Sequence, residues 1–403
     1  MHPADEIKGV KSSILKNKRI ILAVTGSIAA VETVKLAREL IRHGAEIIPV
    51  MTDSATKIVH PDALWFATGK KPIINLTGET EHVKYAGKTK KPADLILICP
   101  CTANTISKIA HAIDDTAVTT FATTAIGSKI PVIIVPAMHL SMYDHKIVQE
   151  NIKKLKKNNI KILAPRIDKN KAKMPEIDEI IAYIIRQTNK QSLKNKKILI
   201  IGGPSVEEID DIRILTNKSS GKTAITIAKN AFFKGAVTTL WYGRGKEKIP
   251  TWIDSRDFFS IKSLLDLVKT DNIKNFDIII NCAALSDYIP EKQKGKISSG
   301  EKNKKLVLKN ATKVIPIIKK KAPKACFIAF KAESEKQNLK KASINLIKKY
   351  DLNLVIANLT AGFESDKNEI WIYNKKGLIE NKKDKKEKLA DFILNTIIKE
   401  CKI

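Results

Sequence analysis

A short apolar run, followed by a polar turn and a helical pattern, constrains the fold of this chain more than any other feature. Leu95–Cys99 is apolar and lies between polar segments, which is typical of a strand that is buried on both faces. We expect Pro100 to end this strand, Thr102–Thr105 to form a polar loop, and the isoleucines of Ile106–Ile113 to lie along a helix. In an open α/β sheet such loops lie at the carboxyl ends of the strands, where ligands bind, and free helix amides favour an anion. On the loop alone, an ordinary strand-to-helix turn is an equally good interpretation.

The same pattern occurs at the start of the chain and again in its second half. Arg19–Val24 predicts a first strand, and Lys197–Ile201 restarts the pattern before the turn Gly202-Gly203-Pro204. Between the halves, Arg186–Lys197 is polar and predicts a solvated connector. The sequence therefore predicts an α/β protein with two Rossmann-like domains, at residues 1–190 and 191–403.

The glycine pattern argues against two common nucleotide-binding motifs. After Gly26 there is no second or third glycine at GxGxxG spacing, and no acid ends the second predicted strand, Glu46–Met51, so an NAD-dependent dehydrogenase is not favoured. Ser219–Thr223 ends in Gly-Lys-Thr, but a P-loop requires a glycine where this chain has Thr216. A small-residue loop that opens a helix still predicts a phosphate cradle.

Charge and cysteine content limit the classes of function. The formal net charge of +30 is compatible with a basic nucleic-acid-binding protein, which we keep as the alternative function. The lysines are dispersed rather than gathered in one basic arm, so we expect no nucleic-acid partner. No apolar run approaches a membrane span, so we expect no membrane association. Five cysteines without CxxC or zinc spacing suit a reducing cytoplasm, where we place the protein.

Four short motifs of the first half carry a resemblance to a known family. They are Gly26-Ser27-Ile28-Ala29-Ala30, His82-Val83, Pro100-Cys101-Thr102-Ala103-Asn104-Thr105, and Pro136-Ala137-Met138 with Met142-Tyr143. Together and in this order they resemble the flavin-dependent cysteine decarboxylases, specifically those that act on phosphopantothenoylcysteine in coenzyme A synthesis. The resemblance covers residues 18–185 and implies a flavodoxin-like flavin decarboxylase domain.

The resemblance also implies functions for individual positions. His82 would be the catalytic base, and Asn104 would position the substrate carboxylate. The implied FMN contacts are Gly26, Ser27, Ile28, Thr52, Thr102, Ala103, Asn104 and Thr105. The implied substrate contacts are Ala137, Met138, Met142, Lys173 and Met174.

One departure from this family concerns the flap over the active site. Many members carry a flap cysteine that donates a proton to the enethiol intermediate, whereas the corresponding segment here, Asp168–Met174, has none. Lys171, Lys173 or a water molecule would then supply the proton. The other departures are Cys101 and Thr102 for alanine and serine, His139 for asparagine, and Tyr143 for tryptophan.

The second half resembles phosphopantothenate–cysteine ligases, which in many microbes follow the decarboxylase in one chain. The matching segments are Arg213–Lys222, Ala283-Ala284 with Asp287-Tyr288, Lys296-Ile297, and Phe330–Glu333. By residue type alone, Asp287 is compatible with binding ribose hydroxyls, a base or a metal, or with capping its loop. Lys296 alone would be assigned to a solvated lysine-rich loop.

This second resemblance implies a CTP-dependent ligase domain and roles for its residues. Asn217 would contact an acyl-cytidylate, Arg213 would support the cysteine step, and Lys296 would stabilise charge on the nucleotide. The implied CTP contacts are Ser219, Ser220, Gly221, Ala283, Ala284, Asp287, Lys296 and Phe330. Further lysines of Lys340–Lys349 are candidates for contacts with the triphosphate.

Together the two resemblances imply a bifunctional enzyme of coenzyme A biosynthesis. It would join L-cysteine to 4′-phosphopantothenate with CTP, and then decarboxylate the product to 4′-phosphopantetheine. The implied cofactors are FMN and Mg²⁺, the latter acting with CTP, although no metal ligands are identified from the sequence. We also expect a homo-oligomer with a trimeric decarboxylase core and a dimeric ligase, which could close into a dodecamer.

Overall fold

A parallel five-stranded sheet lies at the centre of the first half of the chain. The computed structural model describes residues 2–297, 305–360 and 367–403, and the chain divides into two units between Asn189 and Lys190. In the first unit the sheet has the order β2-β1-β3-β4-β6, which is that of flavodoxin-like folds. Its strands and those of a small separate sheet are β1 (Arg19–Val24), β2 (Glu46–Met51), β3 (Leu95–Cys101), β4 (Val132–Pro136), β5 (Met138–His139), β6 (Lys161–Ile162), β7 (Arg166–Asp168) and β8 (Lys171–Lys173).

The helices of the first unit connect these strands. Every residue of β3 is buried, as expected for a strand with helices on both faces of its sheet. The helices are α1 (Pro3–Glu6), α2 (Thr33–Arg42), α3 (Asp53–Thr56), α4 (Pro61–Thr68), α5 (Glu81–Ala86), α6 (Ala103–Ala110), α7 (Ala117–Gly127), α8 (Leu140–Tyr143), α9 (Lys146–Lys157) and α10 (Ile177–Thr188), with a 3₁₀ turn at Ile28–Glu32 before α2.

The predicted end of β3 and the predicted loop after it were both wrong by a few residues. The strand continues through Pro100 to Cys101, because its register against β4 shifts between Ile98 and Cys101, and such irregularities accommodate proline. The polar segment is not a loop: Thr102 is the N-cap of α6, its side chain accepts a hydrogen bond from the Thr105 amide, and the residues after it form the first helical turn.

The predicted connector between the halves is also shorter than expected. Residues 186–188 belong to α10, and Leu193 is fully buried in the core of the second unit. The polar composition of the segment did not indicate this burial, because a single leucine anchors the segment in the core.

The second unit contains a mixed sheet with Rossmann-like order at its centre. Its order is β13-β12-β9-β14-β17-β18-β19-β20, and its first six strands are parallel. Counted along the chain, those six strands have the order 3-2-1-4-5-6 of dinucleotide-binding folds. The strands of this unit are β9 (Lys197–Gly202), β10 (Val206–Glu208), β11 (Ile214–Thr216), β12 (Val237–Tyr242), β13 (Asp254–Asp257), β14 (Ile278–Asn281), β15 (Tyr288–Pro290), β16 (Leu308–Asn310), β17 (Cys326–Glu333), β18 (Leu354–Leu359), β19 (Lys367–Asn374) and β20 (Gly377–Lys385).

Alternating strand residues divide the core of the second unit into two layers. Ile198 and Ile200 of β9 pack with helices on one face of the sheet, and Leu199 and Ile201 pack with helices on the other. This two-sided burial confirms the predicted Rossmann-like α/β fold of this unit. The helices are α11 (Lys222–Phe233), α12 (Ile261–Thr270), α13 (Val314–Lys321), α14 (Lys336–Tyr350) and α15 (Lys386–Glu400), with a 3₁₀ turn at Ile273–Asn275.

Two features of this unit did not follow from the sequence. The antiparallel strands β19 and β20 extend the sheet, and β20 is rich in lysine because it is an edge strand with exposed side chains. Cys326, at the start of β17, forms a disulfide with Cys401, after α15. The two cysteines are 75 residues apart, so the absence of a CxxC spacing did not indicate that all thiols are free.

Candidate active sites

In the first unit, the segments that carry predicted cofactor and substrate residues follow the carboxyl ends of neighbouring parallel strands. Thr25 follows β1, Thr52 follows β2, Thr102 follows β3, and Ala137 follows β4. Because these strands are adjacent in the sheet, the four segments meet at one edge. This is the edge at which open α/β sheets bind ligands.

Hydrogen bonds hold three of these segments together. The hydroxyl of Thr25 donates to the carbonyl of Pro100 at 2.9 Å and accepts from the backbone amide of Thr102 at 3.0 Å. The backbone amide of Thr52 donates to the carbonyl of Val24 at 3.0 Å. The predicted cofactor loops therefore have fixed positions relative to one another.

Gly26 allows the first two loops to approach closely. A Cβ atom on Gly26 would lie 2.6 Å from the Cβ of Ser54, a distance at which one of the two segments would have to move. This close approach forms a small-residue cradle beside the N-terminus of α6, where Ala103, Asn104 and Thr105 make up the first turn. Such a cradle suits a phosphate group, because backbone amides can approach it.

A groove of about 920 Å³ brings together six of the predicted residues. Its walls include residues from the turn after β1, the segment after β4, and the hairpin β7–β8, which pairs with β5. The predicted contact residues in its lining are Ser27, Ile28, Ala137, Met138, Lys173 and Met174, and Lys171, the other candidate proton donor, lines it as well. The segment 168–174, predicted as a flap, thus forms one wall of this groove.

Other predicted residues of the first unit do not line this groove. Met142 lies exposed on α8, and Asn104 is exposed on α6. His82 lies on α5, and its Nδ1 atom is buried without a hydrogen-bond partner among the described residues. A buried ring nitrogen without a protein partner is available to a bound ligand.

Several charged side chains of the groove were not identified from the sequence. Lys35 of α2 and Arg166 of β7 line it, and Arg166 is paired with Glu176. Lys173 is paired with Asp168 at 2.5 Å. No sequence signal separates Lys35 and Arg166 from the many dispersed lysines and arginines of the chain.

In the second unit, the loop Ser219–Gly221 precedes α11 and is fixed by Tyr242. The Tyr242 hydroxyl donates to the carbonyl of Ser220 at 3.0 Å. Gly221 has a φ of +78°, and a Cβ there would lie 2.1 Å from the Tyr242 hydroxyl oxygen. Glycine is therefore required here both by backbone conformation and by space. Burial raises the pKa of Tyr242 to about 12, so its hydroxyl remains a donor.

A cavity of about 140 Å³ contains most of the predicted nucleotide residues. The predicted residues in its lining are Ser219, Ser220, Gly221, Ala283, Ala284 and Phe330. Its lining also includes Asn358 of β18 and Asn368 of β19, which sequence analysis missed. Cys282 lines it too, and burial raises the pKa of this thiol to about 12, so it remains protonated at neutral pH.

A second, larger groove of about 780 Å³ shares Ser219, Ser220, Lys222 and Lys386 with this cavity. Asn217 lines the second groove, and its side-chain amide donates to the carbonyl of Ala284 at 3.0 Å. Three cations in its lining take part in none of the ion pairs found within the described residues: Lys218, Arg244 and Lys246.

Arg213 is held by a buried carboxylate that sequence analysis did not identify. Its guanidinium donates to Asp210 at 2.5 Å. Burial alone would raise the pKa of Asp210, but hydrogen bonds from three backbone amides and from Arg213 outweigh it and hold that pKa well below the usual range. Asp210 therefore carries a negative charge at neutral pH.

The remaining two predicted ligase residues lie outside both linings. Asp287 is exposed and pairs with Lys313 at 2.5 Å. Lys296 is exposed in the loop after β15, directly before Ile297, and residues 298–304 lie outside the described residues. Across residues 2–297, 305–360 and 367–403, no group of three or more His, Cys, Asp or Glu side chains is arranged to hold a metal ion.

Two family models match the chain and together cover nearly all of it. The model described as Flavoprotein matches residues 9–189. The model described as DNA/pantothenate metabolism flavoprotein C-terminal domain matches residues 193–401.

Among the helices that the structure describes, none combines the length and the hydropathy that a membrane span requires.

Curated relatives match along nearly their whole length. The chain is 44% identical over 375 residues to the "Coenzyme A biosynthesis bifunctional protein CoaBC" of Thermococcus kodakarensis, with 92% of each chain covered. It is 38% identical over 386 residues to the protein of that name from Methanocaldococcus jannaschii, with 93% of this chain and 92% of the relative covered. Among solved structures, a DNA/pantothenate metabolism flavoprotein from Streptococcus pneumoniae is 24% identical, with a TM-score of 0.45, and the match covers 50% of this chain and 98% of that one. These comparisons give no support to the nucleic-acid-binding alternative.

Proposed function

The chain belongs to the family of coenzyme A biosynthesis bifunctional proteins, with a flavoprotein decarboxylase domain and a phosphopantothenate–cysteine ligase domain, and on this premise we propose how each unit works. The second unit joins L-cysteine to 4′-phosphopantothenate at the expense of CTP. The first unit then uses FMN to decarboxylate the product to 4′-phosphopantetheine. The observation that carries this proposal is the convergence of three separate stretches, 219–221, 283–284 and Phe330, on one cavity.

The nucleotide occupies that cavity. Phe330, Ala283 and Ala284 supply an apolar surface for the base. The side-chain amides of Asn358 and Asn368 form hydrogen bonds with the polar edge of the base. The backbone amides at the start of α11 face the phosphates, and Lys222 in the first turn adds charge. Preference for CTP over ATP then depends on the two asparagines.

The acyl substrate occupies the larger groove. Asn217 lies where this groove meets the nucleotide cavity, and it directs the carboxylate toward the α-phosphate of CTP. A carboxylate is a poor electrophile, so it is first converted to an acyl-cytidylate with release of pyrophosphate. The cysteine amine then attacks the acyl carbon and CMP departs. Arg244 and Lys246 supply positive charge for the phosphate groups that enter this groove.

The magnesium ion enters with the nucleotide. Mg²⁺ commonly binds substrate phosphates with only one or two protein carboxylates. The absence of a preformed acidic cluster among the described residues agrees with this mode of binding. Lys296 then adds to the neutralisation of the triphosphate.

The flavin occupies the carboxyl edge of the first sheet. The close approach of Gly26 to Ser54 and the start of α6 fit its phosphate, and Ser27, Ile28, Thr52 and residues 102–105 surround it. Bound there, FMN would supply a reversible two-electron acceptor for the substrate thiol, so that CO₂ is lost from a thioaldehyde that stabilises the resulting carbanion, and it would return the electrons afterwards.

The side chains of the first unit position the substrate and move its protons. His82 removes a proton at the thiol, through a ring whose Nδ1 lacks a partner within the described residues. Asn104, on the first turn of α6, binds the carboxylate that is lost. Ala137, Met138 and Met142 contact the pantothenoyl chain, and Lys173 in the groove wall protonates the enethiol.

We also propose an assembly and a cellular location for this chain. We expect trimers of the first unit, dimers of the second and, in the full chain, a closed dodecamer in the cytoplasm. Large exposed apolar side chains on the first unit, such as Ile28 at 78% and Phe66 at 55% exposure, suit a subunit interface. Light scattering of the purified chain measures the mass of the assembly.

A product mass spectrum tests the proposed function. The purified chain is incubated with 4′-phosphopantothenate, cysteine, CTP and Mg²⁺, and parallel reactions contain ATP or no nucleotide. Formation of 4′-phosphopantetheine supports both activities. Accumulation of 4′-phosphopantothenoylcysteine would support the ligase alone, and absence of both products would overturn the proposal.

A further inference from the structure

Asp210 connects the two segments that carry Arg213 and Lys296. Its side chain is buried, with 1% of the residue exposed. Oδ1 accepts hydrogen bonds from the backbone amides of Ile212 and Arg213, at 2.8 Å and 2.5 Å. Oδ2 accepts from the Arg213 guanidinium at 2.5 Å and from the backbone amide of Ile297, which follows Lys296, at 3.1 Å.

The two carboxylate oxygens of Asp210 therefore have different structural roles. Oδ1 closes a local turn within residues 210–213, as aspartate commonly does. Oδ2 joins Arg213 to Ile297, which lies 84 residues further along the chain and belongs to the distant loop. The same guanidinium also donates to the carbonyl of Ile297 at 3.3 Å, so the three groups form a closed network.

The backbone already joins these two segments without Asp210. The amide of Gln293 donates to the carbonyl of Ile209 at 2.9 Å, and the amide of Asp211 donates to the carbonyl of Gly295 at 3.4 Å. What Asp210 adds is the orientation of one guanidinium and of the chain at Lys296. A charge-assisted hydrogen bond in a buried place fixes such an orientation well.

We propose that Asp210 is a positioning residue of the ligase, which sets the Arg213 guanidinium and the Lys296 loop in their reactive arrangement. The inference rests on the proposed ligase function. Asp210 touches no substrate in this scheme, and its effect on the reaction passes through Arg213 and Lys296. Loss of Oδ2 alone should therefore slow ligation while leaving the fold intact.

The test variant is Asp210→Asn in the full chain. The two amides at Oδ1 orient the asparagine so that its oxygen keeps the local turn, and its NH₂ group then faces the donors of Arg213 and Ile297. We expect the kcat of ligation to fall about 100-fold, as for small displacements of catalytic groups, with KM for CTP changed much less.

Two controls accompany this variant. Asp211→Asn makes the same charge change at the adjacent, exposed position, and we expect ligation within about twofold of the unaltered protein because exposed ion pairs contribute little. The decarboxylation of supplied 4′-phosphopantothenoylcysteine by the same chain reports on the first unit, and we expect it to be unchanged.

A double-mutant cycle separates positioning from general support of the fold. If Asp210 acts through Arg213, Asp210→Asn costs much less in an Arg213→Gln background than in the unaltered protein. The proposal would be overturned if Asp210→Asn lowered the kcat of ligation by the same factor in both backgrounds. It would also be overturned if the ligation activity of Asp210→Asn lay within twofold of normal. A chain that makes no 4′-phosphopantothenoylcysteine even without substitutions would instead refute the proposed function.

Discussion

The side-chain amide of Asn217 donates a 3.0 Å hydrogen bond to the backbone carbonyl of Ala284. Asn217 follows β11, and Ala284 follows β14, so this bond joins two segments that are far apart in sequence. The carbonyl of Ala284 also accepts from the backbone amide of Ser205 at 3.2 Å. The junction between the nucleotide cavity and the larger groove is therefore built from three strand ends.

Replacement of Asn217 by aspartate tests this junction. A carboxylate in place of the amide loses the donor to Ala284 and places a negative charge beside a carbonyl oxygen and the incoming substrate carboxylate. We expect ligation to fall by roughly 10²–10³, the range seen when one polar donor of a reactive site is removed. Steady-state rates of CMP release measure the effect, and Asn217→Asp activity within tenfold of normal would contradict the assignment.

Gly221 offers a second test of the nucleotide site. In Gly221→Ala the new methyl group meets the Tyr242 hydroxyl, and the positive φ adds about 1–2 kcal/mol of strain. We expect the KM for CTP to rise at least about tenfold, which corresponds to about 1.4 kcal/mol of lost binding. Gly377→Ala is the matched control, because Gly377 also has a positive φ but a Cβ atom there would meet no other atom within 4 Å. Equal effects of the two substitutions would count against a role of the Ser219–Gly221 loop in binding CTP.

The sequence predicted the strands and loops that depend on residues close together in the chain. The strand Lys197–Ile201 and the small-residue loop at Ser219–Gly221 followed from an apolar run and glycine positions, and the structure has a strand at Lys197–Gly202 and the loop directly before α11. Asp210 was missed, because its partner Ile297 lies 87 residues away, and Asn368 was missed because β19 was not predicted. Burial of a charged group and pairing across a sheet depend on tertiary contacts, which a single sequence does not display.

His82 is the residue on which the decarboxylase proposal depends most. Glutamine can occupy similar space but cannot take up a proton, so in His82→Gln the kcat of decarboxylation should fall by about 10²–10⁴. The flavin absorption of the purified variant should match that of the unaltered protein, since His82 is not among the proposed FMN contacts. Normal turnover by His82→Gln would remove the histidine from the mechanism, and loss of flavin would show a binding role instead.

Lys173 is the proposed proton donor of a flap without cysteine. It lines the groove and pairs with Asp168 of the adjacent strand of the hairpin. In Lys173→Ala we expect about one CO₂ per bound flavin to be released at the normal rate, while 4′-phosphopantetheine formation slows about 100-fold, so that the enethiol and the reduced flavin accumulate together. Lys171→Ala, on the same strand, is the comparison variant. If Lys173→Ala completes turnover at the normal rate, another group or a water molecule supplies the proton.

The disulfide between Cys326 and Cys401 should stabilise the second unit. It ties the end of α15 to the start of β17 and closes a loop of 75 residues, so it restricts the unfolded chain. Removing it in Cys401→Ser should lower the free energy of unfolding by about 2–4 kcal/mol, and the Tm of a unit of this size by roughly 5–15 °C. Thermal unfolding with and without reductant measures the effect: reductant should lower the Tm of the unaltered protein and leave that of Cys401→Ser unchanged. Equal reductant sensitivity of the two proteins would show that this bond is not what stabilises the unit.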